Sequence, residues 1–153
     1  MKKFLLLVVV LGGAVGAGFL HMRGMLPGVK TERGDLLKKS GRFLECLKFK
    51  EFNEAAAFHS PQDLKENEKI PKMLENFFMV PHENLDIQDI SIDFIDFDST
   101  GKLAKVKTTT SVRLLNKNQD RSVESMLYWK KDGDRWYLDM RTTLERGVGK
   151  IPQ

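Results

Sequence analysis

Leu103-Ala104-Lys105-Val106-Lys107-Thr108-Thr109-Thr110-Ser111-Val112-Arg113-Leu114 is the stretch on which the fold turns. Ala104, Val106, Thr108, Thr110, Val112 and Leu114 recur at every second position, with Lys, Thr, Ser and Arg between them. Successive side chains of a strand point to opposite faces, so this pattern predicts a strand with one buried side. Turn residues bracket it, Asp98-Ser99-Thr100-Gly101 before and Asn116 to Asp120 after. Beyond the second turn Val123, Ser125, Leu127 and Trp129 alternate in the same way, and Asp132-Gly133 joins that strand to one carrying Trp136, Leu138 and Met140. Upstream, Ile90, Ile92 and Phe94 alternate with Asp89, Ser91 and Asp93 before the phase slips to Ile95 and Phe97, which predicts a β-bulge. The acids Glu83, Asp86, Asp89, Asp93, Asp96 and Asp98 would then face Lys102, Lys105, Lys107, Arg113 and Lys117 across the first hairpin. Each such cross-strand pair is worth about 0.2 to 1 kcal/mol.

The half of the chain before Pro81 has a different period. Asp35 is a good cap ahead of Leu36, Leu37, Phe43, Leu44 and Leu47, which follow helical spacing. A second helical piece runs from Glu51 through Ala55, Ala56, Ala57 and Phe58. Ser60-Pro61-Gln62-Asp63 combines a cap, a first-turn proline and a first-turn acid, so another helix should start there. Ile70, Met73, Leu74, Phe77 and Phe78 keep the 3.6 period, with Pro71 kinking or restarting that helix. The expected class is α+β: N-terminal helices packed on a curved antiparallel sheet of about four strands. A hydrophobic helix is expected to precede them.

That helix is Phe4 to Leu20, seventeen residues of Leu, Val, Gly, Ala and Phe behind Lys2 and Lys3. Its length sits at the lower edge of a bilayer span. It reads as a retained anchor or as a cleaved signal peptide; the anchor is preferred because neither Ala14-Val15-Gly16 nor Gly16-Ala17-Gly18 is a clean A-x-A site. Gly12 and Gly16 form a G-x-x-x-G pair of the kind that lets membrane helices approach, although in a Gly-rich segment that spacing arises by chance. The short basic start favours an exported domain, at the bacterial inner membrane facing the periplasm, or periplasmic or secreted after cleavage. Arg23, Lys30, Arg33, Lys38 and Lys39 behind the span leave the inverted topology open. The expected organisation is residues 1–22 as leader, 23–34 as linker, 35–141 as the folded domain and 142–153 as a loose tail.

The pI of 9.2 suggests nucleic acid until the charges are placed. Four of the 25 Lys and Arg lie before residue 31 and all 21 Asp and Glu lie after residue 30, so the remainder is formally neutral. A neutral domain lacks the field that counterion-release binding requires, which excludes nucleic acid as the expected partner. The basic end suits anionic lipid headgroups instead.

No residue pattern in the domain carries a recognisable catalytic, metal or cofactor site. Asp96, Asp98, Thr100 and Gly101 match the start of a calcium loop, but Lys107 stands where the bidentate Glu belongs, and a hairpin turn explains them better. His21, His59 and His82 have no ligand spacing; His59 ends a helix, where a cation is favourable, and reads as a C-terminal cap. Cys46, among Phe43, Leu44 and Leu47, reads as a buried structural thiol. The candidate ligand-binding residues are Tyr128, Trp129, Trp136 and Tyr137, large aromatic groups that either close the core or line a pocket. The one enzymatic arrangement available pairs Tyr128 with Glu45 or Asp139 for proton transfer.

Two stretches carry a resemblance. Phe49-Lys50-Glu51-Phe52-Asn53-Glu54-Ala55-Ala56-Ala57-Phe58-His59-Ser60-Pro61 comes early, and Tyr128-Trp129-Lys130-Lys131-Asp132-Gly133-Asp134-Arg135-Trp136-Tyr137-Leu138 comes late. With helices ahead of a long sheet, residues 35–141 resemble the NTF2-like, cystatin-like cone superfamily. They are especially similar to exported bacterial domains of unknown function related to the lumazine-binding-like group. The resemblance implies a cone with a pocket at its open end; it carries over no catalytic residue, since this superfamily hosts enzymes, transport factors and secretion subunits alike. The expected function is therefore a non-catalytic envelope module for small-molecule or protein binding, its partner a second copy or an envelope protein met through the sheet. The alternatives are a pocket-based acid-base enzyme and a scaffolding subunit of a membrane assembly.

Overall fold

In a computed structural model, which describes residues 31–148, the central alternation becomes β2 (Leu103–Leu114). Ala104, Val106, Thr108, Thr110, Val112 and Leu114 are all buried, as the period of two requires. It pairs antiparallel with β1 (Leu85–Phe97) on one side and β3 (Gln119–Asp132) on the other, and β4 (Arg135–Leu138) completes an open sheet in the order β1-β2-β3-β4. The turn before β2 is held by Asp98, whose Oδ1 accepts from the amides of Lys102 and Leu103, each at 3.0 Å, while Thr100 Oγ1 donates to Oδ2 at 2.6 Å. Those oxygens are engaged in closing the turn. The last loop has Gly133-Asp134 at its centre, one residue later than expected, and Gly133 takes a φ of +57° that glycine meets without Cβ strain.

β1 departs from the expected phase. Its register shifts between Ile87 and Asp89 and again between Ile92 and Phe94, so the second slip comes before Phe94 rather than after it. Phe94 pairs with Lys107 on the outer side and is 47% exposed. Each bulge adds one residue and turns the strand, which keeps Leu85, Ile87, Ile90, Ile92, Ile95 and Phe97 on the inner side despite their uneven spacing.

The helices precede the sheet. α1 (Glu32–Lys48) starts three residues before the expected cap: Thr31 Oγ1 accepts from Gly34 N at 3.1 Å, and Asp35 falls in the first turn. Leu36, Phe43, Leu44 and Leu47 are buried as predicted, but Leu37 projects outward and is 48% exposed. α2 (Phe52–Ala56) is short. α3 (Pro61–Glu66) is capped by Ser60, whose Oγ accepts from Asp63 N at 3.1 Å. Pro71 lies in the first turn of α4 (Ile70–Leu74), so it restarts a helix. Phe43 meets Phe58 and Phe77 edge-on at 6.0 and 5.6 Å, and Phe58 meets Trp129 at 6.3 Å, so aromatic contacts join helices to sheet in one core.

Residues from Thr142 onward are not a loose tail as far as Val148. α5 (Met140–Thr142) and a π-helical turn (Thr143–Gly147) follow β4, and Val148 bridges to Ser125. The reason is an edge left uncovered: β4 pairs only with Trp129 to Asp132 of the much longer β3. The following segment satisfies part of the remainder, with Asp139 N donating to Tyr128 O at 2.8 Å and Tyr128 N to Thr143 Oγ1 at 3.0 Å.

Among the described residues no helix is long and apolar enough to cross a membrane. Phe4 to Leu20, Gly12 and Gly16, His21 and most of the expected linker lie outside them, as do the last five residues.

Candidate functional site

The sheet separates the four aromatic residues singled out from the sequence. Trp129 and Trp136, 1% and 3% exposed, are buried, Trp129 against Phe58 and Trp136 against Phe97 at 5.8 Å. Tyr128 and Tyr137 alternate to the opposite side and are half-buried, so the four do not share a wall. Tyr128 packs against the C-terminal turn at Gly147. Of its two suggested acid partners, Glu45 lies 3.6 Å from Arg42 on α1, and Asp139 caps α5 through Thr142 N at 3.1 Å and Thr142 Oγ1 at 2.8 Å.

A cleft of about 740 Å³ opens between α3, α4 and the C-terminal segment. His59 forms part of its wall. Its position in the chain accounts for that placement: Ser60 caps α3, and the residue before a cap often packs back against the helix it precedes. A histidine there is carried into the interior, and His59 is 2% exposed. The adjacent Leu138 N donates to Phe58 O at 2.8 Å, which fixes this corner to the sheet.

The state of His59 follows from its neighbours. Nδ1 lies 2.8 Å from Ala56 O. A carbonyl only accepts, so Nδ1 carries the hydrogen. Burial pushes the imidazole below its ordinary pKa, against the opposing pull of the Ala56 carbonyl and Asp63. His59 is thus neutral at pH 7, and Nε2 is a bare acceptor, buried and without a hydrogen-bond partner among the described residues. The helix-end hydrogen bond expected from the sequence is present; the expected charge is not, because burial outweighs the attraction of a helix terminus.

Asp63 and Lys130 close one side of the cleft. Lys130 Nζ lies 3.0 and 2.8 Å from the two carboxylate oxygens. Burial raises Asp63, but Lys130 and Ser60 together hold it below the usual carboxylate range. Glu66, Asp139, Arg141 and Glu145 add charge at the rim, and Ile70, Met73, Met140 and Leu144 supply apolar wall. A volume of this size with apolar walls and a few convergent polar groups suits a small molecule.

Two other places bring potential ligand-binding groups together. Cys46, Glu51 and Glu54 offer donor atoms within 4.8 Å of one another. Arg42 already bonds both carboxylates, at 3.2 and 3.0 Å, so a guanidinium occupies the cation's position. Burial, with Glu51 and Glu54 adding to it and Arg42 opposing, pushes the Cys46 thiol up, away from a reactive thiolate. A second groove of about 470 Å³ lies between α1 and β1, with Leu37 and Phe49 at its edge and Ile90 and Ile92 within. The outer face of the sheet carries ion pairs: Lys107 pairs with Glu124 at 3.1 Å, and Arg113 grips Asp120 at 2.7 and 3.1 Å. Asp86 and Asp96 do stand opposite Arg113 and Lys105, but these close ion pairs join β2 to β3 rather than to β1.

Among the described residues the fold is α+β, with helices ahead of an open four-stranded antiparallel sheet and the buried side chain of His59 at a cleft. No model of a known protein family matches the chain, and no curated protein matches it.

Proposed function

We propose that this protein is a membrane-tethered or exported bacterial envelope protein whose folded domain is a non-catalytic module that binds a small molecule in the cleft beside His59. One observation carries the binding reading: a neutral, buried histidine whose Nε2 has no hydrogen-bond partner among the described residues, in the wall of a cleft of about 740 Å³. A buried acceptor left unmatched is destabilising by about 1 to 3 kcal/mol, and a bound donor removes that penalty. The apolar run Phe4 to Leu20 behind two lysines supports the location. The NTF2-like cone is part of the same proposal, supported by helices ahead of long antiparallel strands and by two bulges that turn β1.

A thermal-shift screen on the full-length chain tests the binding half. Ligands should raise Tm in the wild type and lose that effect in Leu144→Trp, which fills the cleft. Hits that stabilise both equally would place the site elsewhere. Fractionation with a mass measurement of the mature amino terminus tests the location. Full-length chain free in the cytosol would end it.

A protein-binding reading rests on a different observation, the exposure of Leu37 and Phe49 (48% and 63%) beside the groove between α1 and β1. Phe49→Ser would then abolish partner capture while Leu144→Trp leaves it intact.

A further inference from the structure

The cleft beside His59 is selective in sign as well as in size. Its rim and walls carry four carboxylates, from Asp63, Glu66, Asp139 and Glu145, against two cations, Lys130 and Arg141. Asp63 is neutralised by Lys130, and Asp139 is bonded to Thr142. Glu66 takes one hydrogen bond from Gln62 Nε2 at 2.8 Å, and no hydrogen bond or ion pair involves the Glu145 carboxylate among the described residues. The balance seen from inside is negative.

His59 points the same way independently. With Nδ1 donating to Ala56, Nε2 offers only a lone pair. A carboxylate or phosphate brought to it would set acceptor against acceptor and add to the negative charge. A ligand carrying N–H donors on a cationic centre satisfies both features. The aliphatic and thioether side chains of Ile70, Met73, Met140 and Leu144 suit an apolar body attached to that centre.

We propose that the cleft takes an organic cation, a primary ammonium on an apolar body, donating to His59 Nε2 and held by the rim carboxylates of Glu66 and Glu145. This rests on the cleft being the ligand site. Ring resonances of isotopically labelled histidine in the full-length chain report on it, His59 being assigned by its absence in His59→Asn. Butylammonium, butyrate and butanol serve as probes of equal length and different charge.

Saturable movement of the His59 resonance is expected with butylammonium at millimolar concentration, with weaker responses to butanol and least to butyrate. The Glu66→Gln, Glu145→Gln pair, both exposed, should weaken butylammonium about twofold or more, since each such charge is worth about 0.2 to 1 kcal/mol. Butyrate or butanol binding as well as butylammonium, or an unchanged affinity in the double variant, overturns the assignment of ligand class and leaves the cleft reading standing. No response of His59 to any of the three probes overturns the cleft reading, and the ligand class with it.

Discussion

Lys130 Nζ on β3 lies 3.0 Å from Oδ1 and 2.8 Å from Oδ2 of Asp63 on α3, joining sheet to helix across 67 residues of sequence. The pair holds the helix that follows His59 against the strand that forms the other side of the cleft. Both side chains are partly exposed, so solvent screens the attraction. The folded pKa of Asp63 lies below its unfolded value, near 3.8. Its contribution is therefore complete above that value and fades as pH falls through the folded one. Asp63→Asn should destabilise by about 1 kcal/mol at neutral pH and by less near pH 2, because the wild-type carboxylate gives up this contribution as pH falls through its lowered pKa. Urea unfolding at the two pH values reads the difference; an equal cost at both would show that packing, and not charge, is what the aspartate supplies.

His59 gives a pH dependence of the same sign at a higher pH. Its folded pKa is lowered by burial, so between that value and its unfolded value near 6.5 the unfolded chain binds the extra proton. Stability should fall as pH drops below about 6.5, with a slope of at most about 1.4 kcal/mol per pH unit from this one group. His59→Asn cannot take the proton and should flatten that part of the curve. Chemical denaturation from pH 8 to 5 decides it, and a slope unchanged in the variant would assign the dependence to another group.

These two side chains also mark how far the sequence could be read. The buried row of β2 and the cap Ser60-Pro61 were legible because both depend on local geometry, side-chain period and backbone conformation. The position of the bulge in β1 was not, since a slip before or after Phe94 fits the alternation equally and only pairing with β2 decides. Nor was the order of residues 142–148, which comes from an edge of β3 that β4 is too short to cover. Of the cleft, the signal present was a histidine immediately before a helix cap. The other cleft-lining groups Lys130 and Asp139 are brought there by the topology alone.

Gly147 and Gly133 should separate two uses of glycine. A Cβ at Gly147 would fall on the backbone carbonyl of Met126, a contact that cannot yield as a side chain would. Gly133 has φ of +57° and open space around it, so its requirement is conformational. Asn tolerates the left-handed region, so Gly133→Asn should be close to neutral. Gly147→Asn should be destabilising by about 1 to 3 kcal/mol. The loss should be local first: hydrogen exchange at Tyr128 N, protected by Thr143 Oγ1, should quicken before the sheet unfolds. Two variants of equal stability would mean that the C-terminal turn contributes nothing to the domain.

Lys50 occupies a position that glycine would suit better. α1 ends with Glu51 N donating to Cys46 O at 2.8 Å and Lys50 N to Leu47 O at 3.2 Å, the paired bonds of a Schellman cap, and Lys50 takes the φ of +61° that such a cap demands. That turn brings Glu51 and Glu54 back onto Arg42. A side chain in the left-handed region costs about 1 to 2 kcal/mol, partly offset because glycine has more freedom to lose on folding. Lys50→Gly should therefore stabilise by about 0.5 to 1 kcal/mol, whereas Lys50→Ala, which keeps the Cβ, should change little. A shift of the urea midpoint without a change in slope is the expected reading for glycine. If Lys50→Gly instead destabilised the protein while Lys50→Ala did not, strain at this cap would not be what limits the end of α1.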